Sequence, residues 1–96
     1  MVHVDVLVPE DDGDPIVVAM AGEFDLANVE TLRSHLRGIE PSRAVVLDLA
    51  ETSYIDSTVL GVLAELYREG IRFSVRNAQP MVAKVLRVSG IAKLVA

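Results

Sequence analysis

The sequence predicts a single α/β domain over residues 1–96, built on a mixed β-sheet of about five strands packed with about three helices. Three observations carry that reading. Two strand-like runs near the start, Val2–Val8 and Ile16–Ala21, are separated only by the polar turn cluster Pro9–Pro15 and read as an antiparallel hairpin. After them, short apolar runs of strand length alternate with longer segments whose apolar residues recur at helical spacing. Gly38, Pro41, Gly70 and Gly90 fall at the ends of those helical segments.

Val2-His3-Val4-Asp5-Val6 alternates apolar and polar residues, the period of a half-buried strand. Ile16–Ala21 is the second strand, and Gly22-Glu23-Phe24-Asp25 ends it and opens a helix. Asp25 is the expected N-cap, its carboxylate accepting from the N–H of Ala27 or Asn28. Leu26, Val29, Leu32, Leu36 and Ile39 then mark one apolar face. Ala44–Leu49 is the third strand, and its density of branched apolar residues predicts burial on both faces, as in a parallel sheet. A second helix runs from the Asp56-Ser57-Thr58 junction to about Glu69, with Gly70 as its stop. It should be the most buried helix, since Val59, Leu60, Val62, Leu63 and Leu66 cover more than one face. Ile71–Val75 is the fourth strand. Pro80 suits the first turn of a third helix, with Val82, Val85, Leu86 and Ser89 turned inward. Ile91–Val95 is a short last strand.

Composition narrows the function. The net charge is −5 with Lys and Arg scattered, which argues against direct contact with nucleic acid or an anionic membrane surface. There is no cysteine, hence no disulfide framework and no thiol nucleophile. No apolar stretch approaches the roughly 20 residues that span a bilayer. His3 and Asp5 interrupt the early apolar run, so no secretory leader is expected, and a cytoplasmic protein fits.

Enzyme motifs fail one by one. The nucleotide-binding glycine patterns and the Gly-x-Ser-x-Gly elbow are missing. His3 and His35 have no partners at ligand spacing, and Glu10–Asp14 lacks the spaced ligands and closing Glu of a calcium loop. Asp48 lies within the third strand and Asp56 after it, near the strand end a phospho-accepting aspartate occupies, but Val8-Pro9-Glu10 leads into a hairpin, the wrong topology for a receiver. No cofactor is implied.

What remains is the junction Tyr54-Ile55-Asp56-Ser57-Thr58, where a buried strand hands over to a helix. Ligands and partners of open α/β sheets meet the sheet outside its carboxyl ends. Asp56 or Ser57 caps the helix there, and its N-terminus favours negative charge.

Tyr54-Ile55-Asp56-Ser57-Thr58-Val59-Leu60-Gly61-Val62-Leu63 resembles the signature of the STAS domain family, in particular the small bacterial anti-sigma factor antagonists, whose phosphorylation loop reads Asp-Ser-Ser/Thr-Gly-Leu-Gly-Val. Gly22-Glu23-Phe24-Asp25 resembles the family's Gly-Glu-Leu/Ile-Asp turn, and Val88–Leu94 its Ser/Thr-Gly-Leu-x-Lys close. The three motifs stand in the family's order and spacing.

The resemblance implies a switch and not an enzyme. The unphosphorylated antagonist would bind an anti-sigma factor serine/threonine kinase and free a sigma factor. Phosphorylation of Ser57 would end that binding and a phosphatase would restore it, with ATP belonging to the kinase. Asp25, Asp56, Thr58, Val59 and Leu60 would form the partner-binding surface. Two other roles fit the resemblance: a stressosome-type STAS scaffold subunit, or a STAS regulatory subunit of a lipid-transport ATPase. The chain departs from the family pattern in two places. Val59 replaces the usual Gly, which predicts a stiffer loop. The sequence ends at Ala96, where relatives add a further helix, which predicts an exposed apolar face near Ile91, Leu94 and Val95 and weak self-association through it.

Overall fold

In the computed structural model, residues 1–11, 13–41 and 43–90 are described. The expected hairpin forms: β1 (His3–Leu7) pairs antiparallel with β2 (Ile16–Phe24), His3 opposite Ala21 and Leu7 opposite Val17. Asp11 makes the turn, accepting from Asp14 N–H through its carbonyl at 3.1 Å and from Gly13 N–H through its carboxylate at 3.0 Å. Then follow α1 (Val29–Leu36), β3 (Ala44–Ile55), α2 (Ser57–Arg68), β4 (Arg72–Arg76) and α3 (Pro80–Val88). The sheet order is β1-β2-β3-β4, with β2–β3 and β3–β4 parallel. Four strands are therefore present among the described residues where about five were expected. The expected last strand, Ile91–Val95, and the apolar face assigned to it lie outside them.

β3 is twice as long as its apolar run suggests, because β2 accompanies it with two irregularities. Between Ala19 and Ala21, β2 advances two residues while β3 advances three, from Asp48 to Glu51. Between Gly22 and Glu23 it advances one while β3 advances two, from Thr52 to Tyr54. Each extra residue turns β3 over, so core-facing positions fall at Val45, Leu47 and Leu49, then at Thr52 and Ile55. Thr52 is fully buried and its hydroxyl donates to Met20 O at 2.8 Å, satisfying a carbonyl beside the first irregularity. Burial on both faces is not found: Val46 and Asp48 remain partly exposed while Val45 and Leu47 are buried.

β2 also continues past its expected end at Ala21 to Phe24. Gly22 makes this possible. Its φ is +106°, and a Cβ there would lie 2.6 Å from the carbonyl oxygen of Met1, where the chain enters β1.

α2 closes the core with Val59, Val62, Leu63 and Leu66. Burying each such side chain contributes about 1.5–3 kcal/mol. Its C-terminus is a Schellman turn: Gly70 at φ +103° donates to Tyr67 O at 3.0 Å and Ile71 to Leu66 O at 3.1 Å, with Ile71 and Leu66 both buried. Arg33 of α1 reaches Glu30 at 3.0 Å and Glu65 of α2 at 3.6 Å, joining the two helices. In α3, Val82 and Leu86 are buried and Val85 is half-buried, whereas Ser89 is exposed, contrary to the expected inward turn. No helix among the described residues is long and apolar enough to cross a membrane.

Candidate functional site

Phe24 pairs with Ile55 at the end of the parallel β2–β3 ladder, so the next residues, Asp25 and Asp56, emerge side by side at one sheet edge. The two aspartates are then used differently. Asp56 is the N-cap of α2: its Oδ1 accepts from Thr58 N–H at 2.9 Å and from Val59 N–H at 3.3 Å. Its Oδ2 accepts from Leu26 N–H at 3.3 Å, which ties the turn after β2 to the start of α2. Of the two caps expected from the sequence, Asp56 and not Ser57 holds the helix.

Asp25 does not cap α1. The helix starts later, at Val29, with Asn28 in the cap position and no side-chain cap bond. Asp25 instead organises the turn before it: its Oδ1 accepts from Ala27 N–H at 2.9 Å, one of the two expected bonds, and its carbonyl accepts from Val29 N–H at 2.9 Å. Asn28 brackets that turn, accepting from Asp25 N–H at 3.0 Å and donating to Glu23 O at 2.9 Å. The delayed start moves Leu26 off the buried face. It is 75% exposed, where the sequence spacing placed it in the core.

Ser57 is the first residue of α2 and is exposed, with Thr58 and Leu60 half-buried beside it. Val59 is 0% exposed and faces the core with Val62 and Leu63, so it offers no side chain to a partner and leaves the predicted contact surface. Its backbone φ is not positive, so the position does not need the family's Gly. Two residues that sequence reasoning did not assign are exposed beside the junction: Leu26, and Tyr54 at 49% exposure just before it. The sequence signal for Leu26 was a lone apolar residue inside an Asp-x-x-Asn turn; Tyr54 was hidden because its strand was read as ending at Leu49.

Asp48 is a structural group. Its carboxylate accepts from Ala50 N–H at 3.1 Å, from Asn77 Nδ2 at 3.3 Å and from Arg76 Nε at 3.1 Å. These partners, the Ala50 N–H above all, hold its carboxyl below the ordinary aspartate range. Asp48 thereby fixes the first irregularity of β3 and the β4–α3 loop, where Asn77 sits at φ 61°.

Comparison with known proteins adds the family. A model of the Mlab STAS domain matches residues 8–96. The chain belongs to the STAS domain family. A STAS-domain containing protein of Pseudomonas aeruginosa is 32% identical over 93 residues, covering 91% of each chain. An anti-sigma factor antagonist from Mycobacterium paratuberculosis superposes with a TM-score of 0.78 at 24% identity, over 99% of this chain and 83% of that one. The anti-sigma factor antagonist SpoIIAA in its unphosphorylated form superposes at 0.75 with 20% identity, over 98% and 86%. The phosphorylated form of the Bacillus protein superposes at 0.67, also at 20% identity, over 98% and 89%. These likenesses show that the fold is that of the antagonists.

Proposed function

We propose that this STAS domain is an anti-sigma factor antagonist, switched by phosphorylation of Ser57. In its unphosphorylated form it binds an anti-sigma serine/threonine kinase, which then frees a sigma factor. A phosphatase reverses the modification, and the domain itself catalyses nothing. It would act in the cytoplasm.

The observation that carries this reading is the division of labour at the start of α2. Asp56 takes the Thr58 and Val59 N–H groups, and Ser57 beside it is exposed. A phosphate on Ser57 brings about −1.5 to −2 charges at pH 7. Those two helix donors are already occupied by a carboxylate, so the new charge is not absorbed by them and stays on the surface. That surface also carries the exposed side chains of Leu26 and Tyr54. The modification therefore changes what a partner meets while the fold, held by Asp56, persists.

Calorimetric titration with the kinase tests this. Ser57→Ala should bind like the wild type and resist phosphorylation. Ser57→Asp should fold normally and bind far more weakly. A kinase carboxylate roughly 6 Å away would oppose the phosphate by about 5 kcal/mol and the single charge of Ser57→Asp by about 3 kcal/mol at an effective dielectric near 20, the latter weakening the complex about a hundredfold. Undiminished binding by Ser57→Asp would refute the switch.

A second reading draws on the family match, whose model is that of the Mlab STAS domain and not one restricted to antagonists. There the same face docks on a lipid-transport ATPase and Ser57 packs without turning over phosphate. Binding to such an ATPase that survives Ser57→Asp would select it.

A further inference from the structure

The two edges of the sheet differ in what they would accept. On β4, Arg72 and Arg76 are both exposed and lie four residues apart around Ser74. A second β4 paired antiparallel about Ser74 would set Arg72 against Arg76, so like charge guards that edge. β1 has no such guard. Among the described residues it pairs with β2 alone, leaving its other edge without a strand.

The residues of β1 are complementary to their own reversal. In an antiparallel pairing about Val4, Met1 stands opposite Leu7 of the second copy, Val2 opposite Val6, and His3 opposite Asp5. Met1 and Leu7 are both exposed large apolar residues, so the pairing covers each with the other. His3 and Asp5 already meet within one copy at 3.2 Å and would alternate with their counterparts in a quartet across the two-fold axis. The even positions, with Val4 buried and Val2 and Val6 packed against the core, stay on the core side of both copies. Moving the centre one step within the same face spoils the match. Centred on Asp5, the two Asp5 carboxylates oppose each other and His3 faces Leu7; centred on His3, Met1 faces Asp5.

We infer that the β1 edge is an interaction surface for a second copy of this chain, which adds β1 to β1 antiparallel in this register and makes one continuous sheet of both domains. The contact is small, so the dimer is weak. It lies on β1, not at the Asp25–Ser57 edge, so it is independent of the phosphorylation reading.

Sedimentation equilibrium from micromolar to millimolar protein tests it with charge variants at exposed positions. His3→Glu sets Glu against Asp5 and should raise the dissociation constant at least about tenfold. Adding Asp5→Lys restores opposite charges in reversed order and should recover most of that loss. A monomer throughout the concentration range overturns the inference, as does association that His3→Glu leaves unchanged. A monomer whose β1 amides exchange as slowly as those of β2 would mean that another segment of the chain covers the edge, which also overturns it.

Discussion

The β2–α1 and β3–α2 junctions start alike and end differently. Each follows a buried aromatic or aliphatic residue, Phe24 or Ile55, paired with the other across the parallel ladder. Each continues with an aspartate, Asp56 three residues ahead of the buried Val59 and Asp25 four ahead of the buried Val29. Asp56 caps a helix that begins at the very next residue, and Val59, three further on, enters the core. After Asp25 the chain makes a turn closed by Asn28, and the helix begins only at Val29. The lesson is that an aspartate before an apolar period marks a change of direction, while the first core-facing residue decides where the helix starts. One junction becomes a rigid platform presenting Ser57. The other becomes a bracketed turn presenting Leu26, and the Asp56–Leu26 bond joins them.

Substitutions at the two junctions test this difference. The largest effect should come from Gly22→Ala, which removes the freedom that lets β2 reach Phe24. Its positive φ and the 2.6 Å approach to Met1 O both oppose a Cβ, so a loss of about 3 kcal/mol in chemical denaturation is expected. A change under about 0.5 kcal/mol would show that the N-terminal chain can move aside at little cost. Asp56→Ala comes next. It removes both cap bonds and the Leu26 tie, and should cost about 1–2 kcal/mol. Asp25→Ala removes one exposed turn bond and should cost less, about 0.5 kcal/mol. Kinase titration should show both variants weakened, Asp56→Ala more than Asp25→Ala. Equal stability losses would mean that the two aspartates do the same job after all.

The smallest effect is the acid dependence contributed by Asp48. Its carboxyl is held low in the folded state, so its contribution is full above the ordinary aspartate pKa of about 3.9 and is lost as pH falls through the lower folded value. Thermal unfolding between pH 7 and pH 2 should therefore show a shallower acid loss for Asp48→Asn than for the wild type. Identical slopes would place the acid sensitivity elsewhere.

Much of this was legible in the chain. The hairpin, the parallel crossover units, the helix stop at Gly70 and the helix start at Pro80 follow from period and punctuation, and the junction at Asp56-Ser57 stood out as polar residues between two apolar segments. The second half of β3 was not legible. Leu49, Thr52 and Ile55 enter the core at steps of three because two extra residues are inserted against β2, and a strand is recognised by steps of two. The partner strand, not the local sequence, makes that segment extended. The exposure of Leu26 was missed for a related reason: it depends on the residue at which α1 begins, and spacing alone leaves that open by several residues.

The claim on which the functional reading rests is that Ser57 receives the phosphate. Incubating the protein with the anti-sigma kinase and ATP, then locating the modification by mass spectrometry, tests it most directly. The account predicts a single phosphate on Ser57 and none on Ser57→Ala. Modification of the wild type on Thr58 alone, with Ser57 untouched, would contradict it.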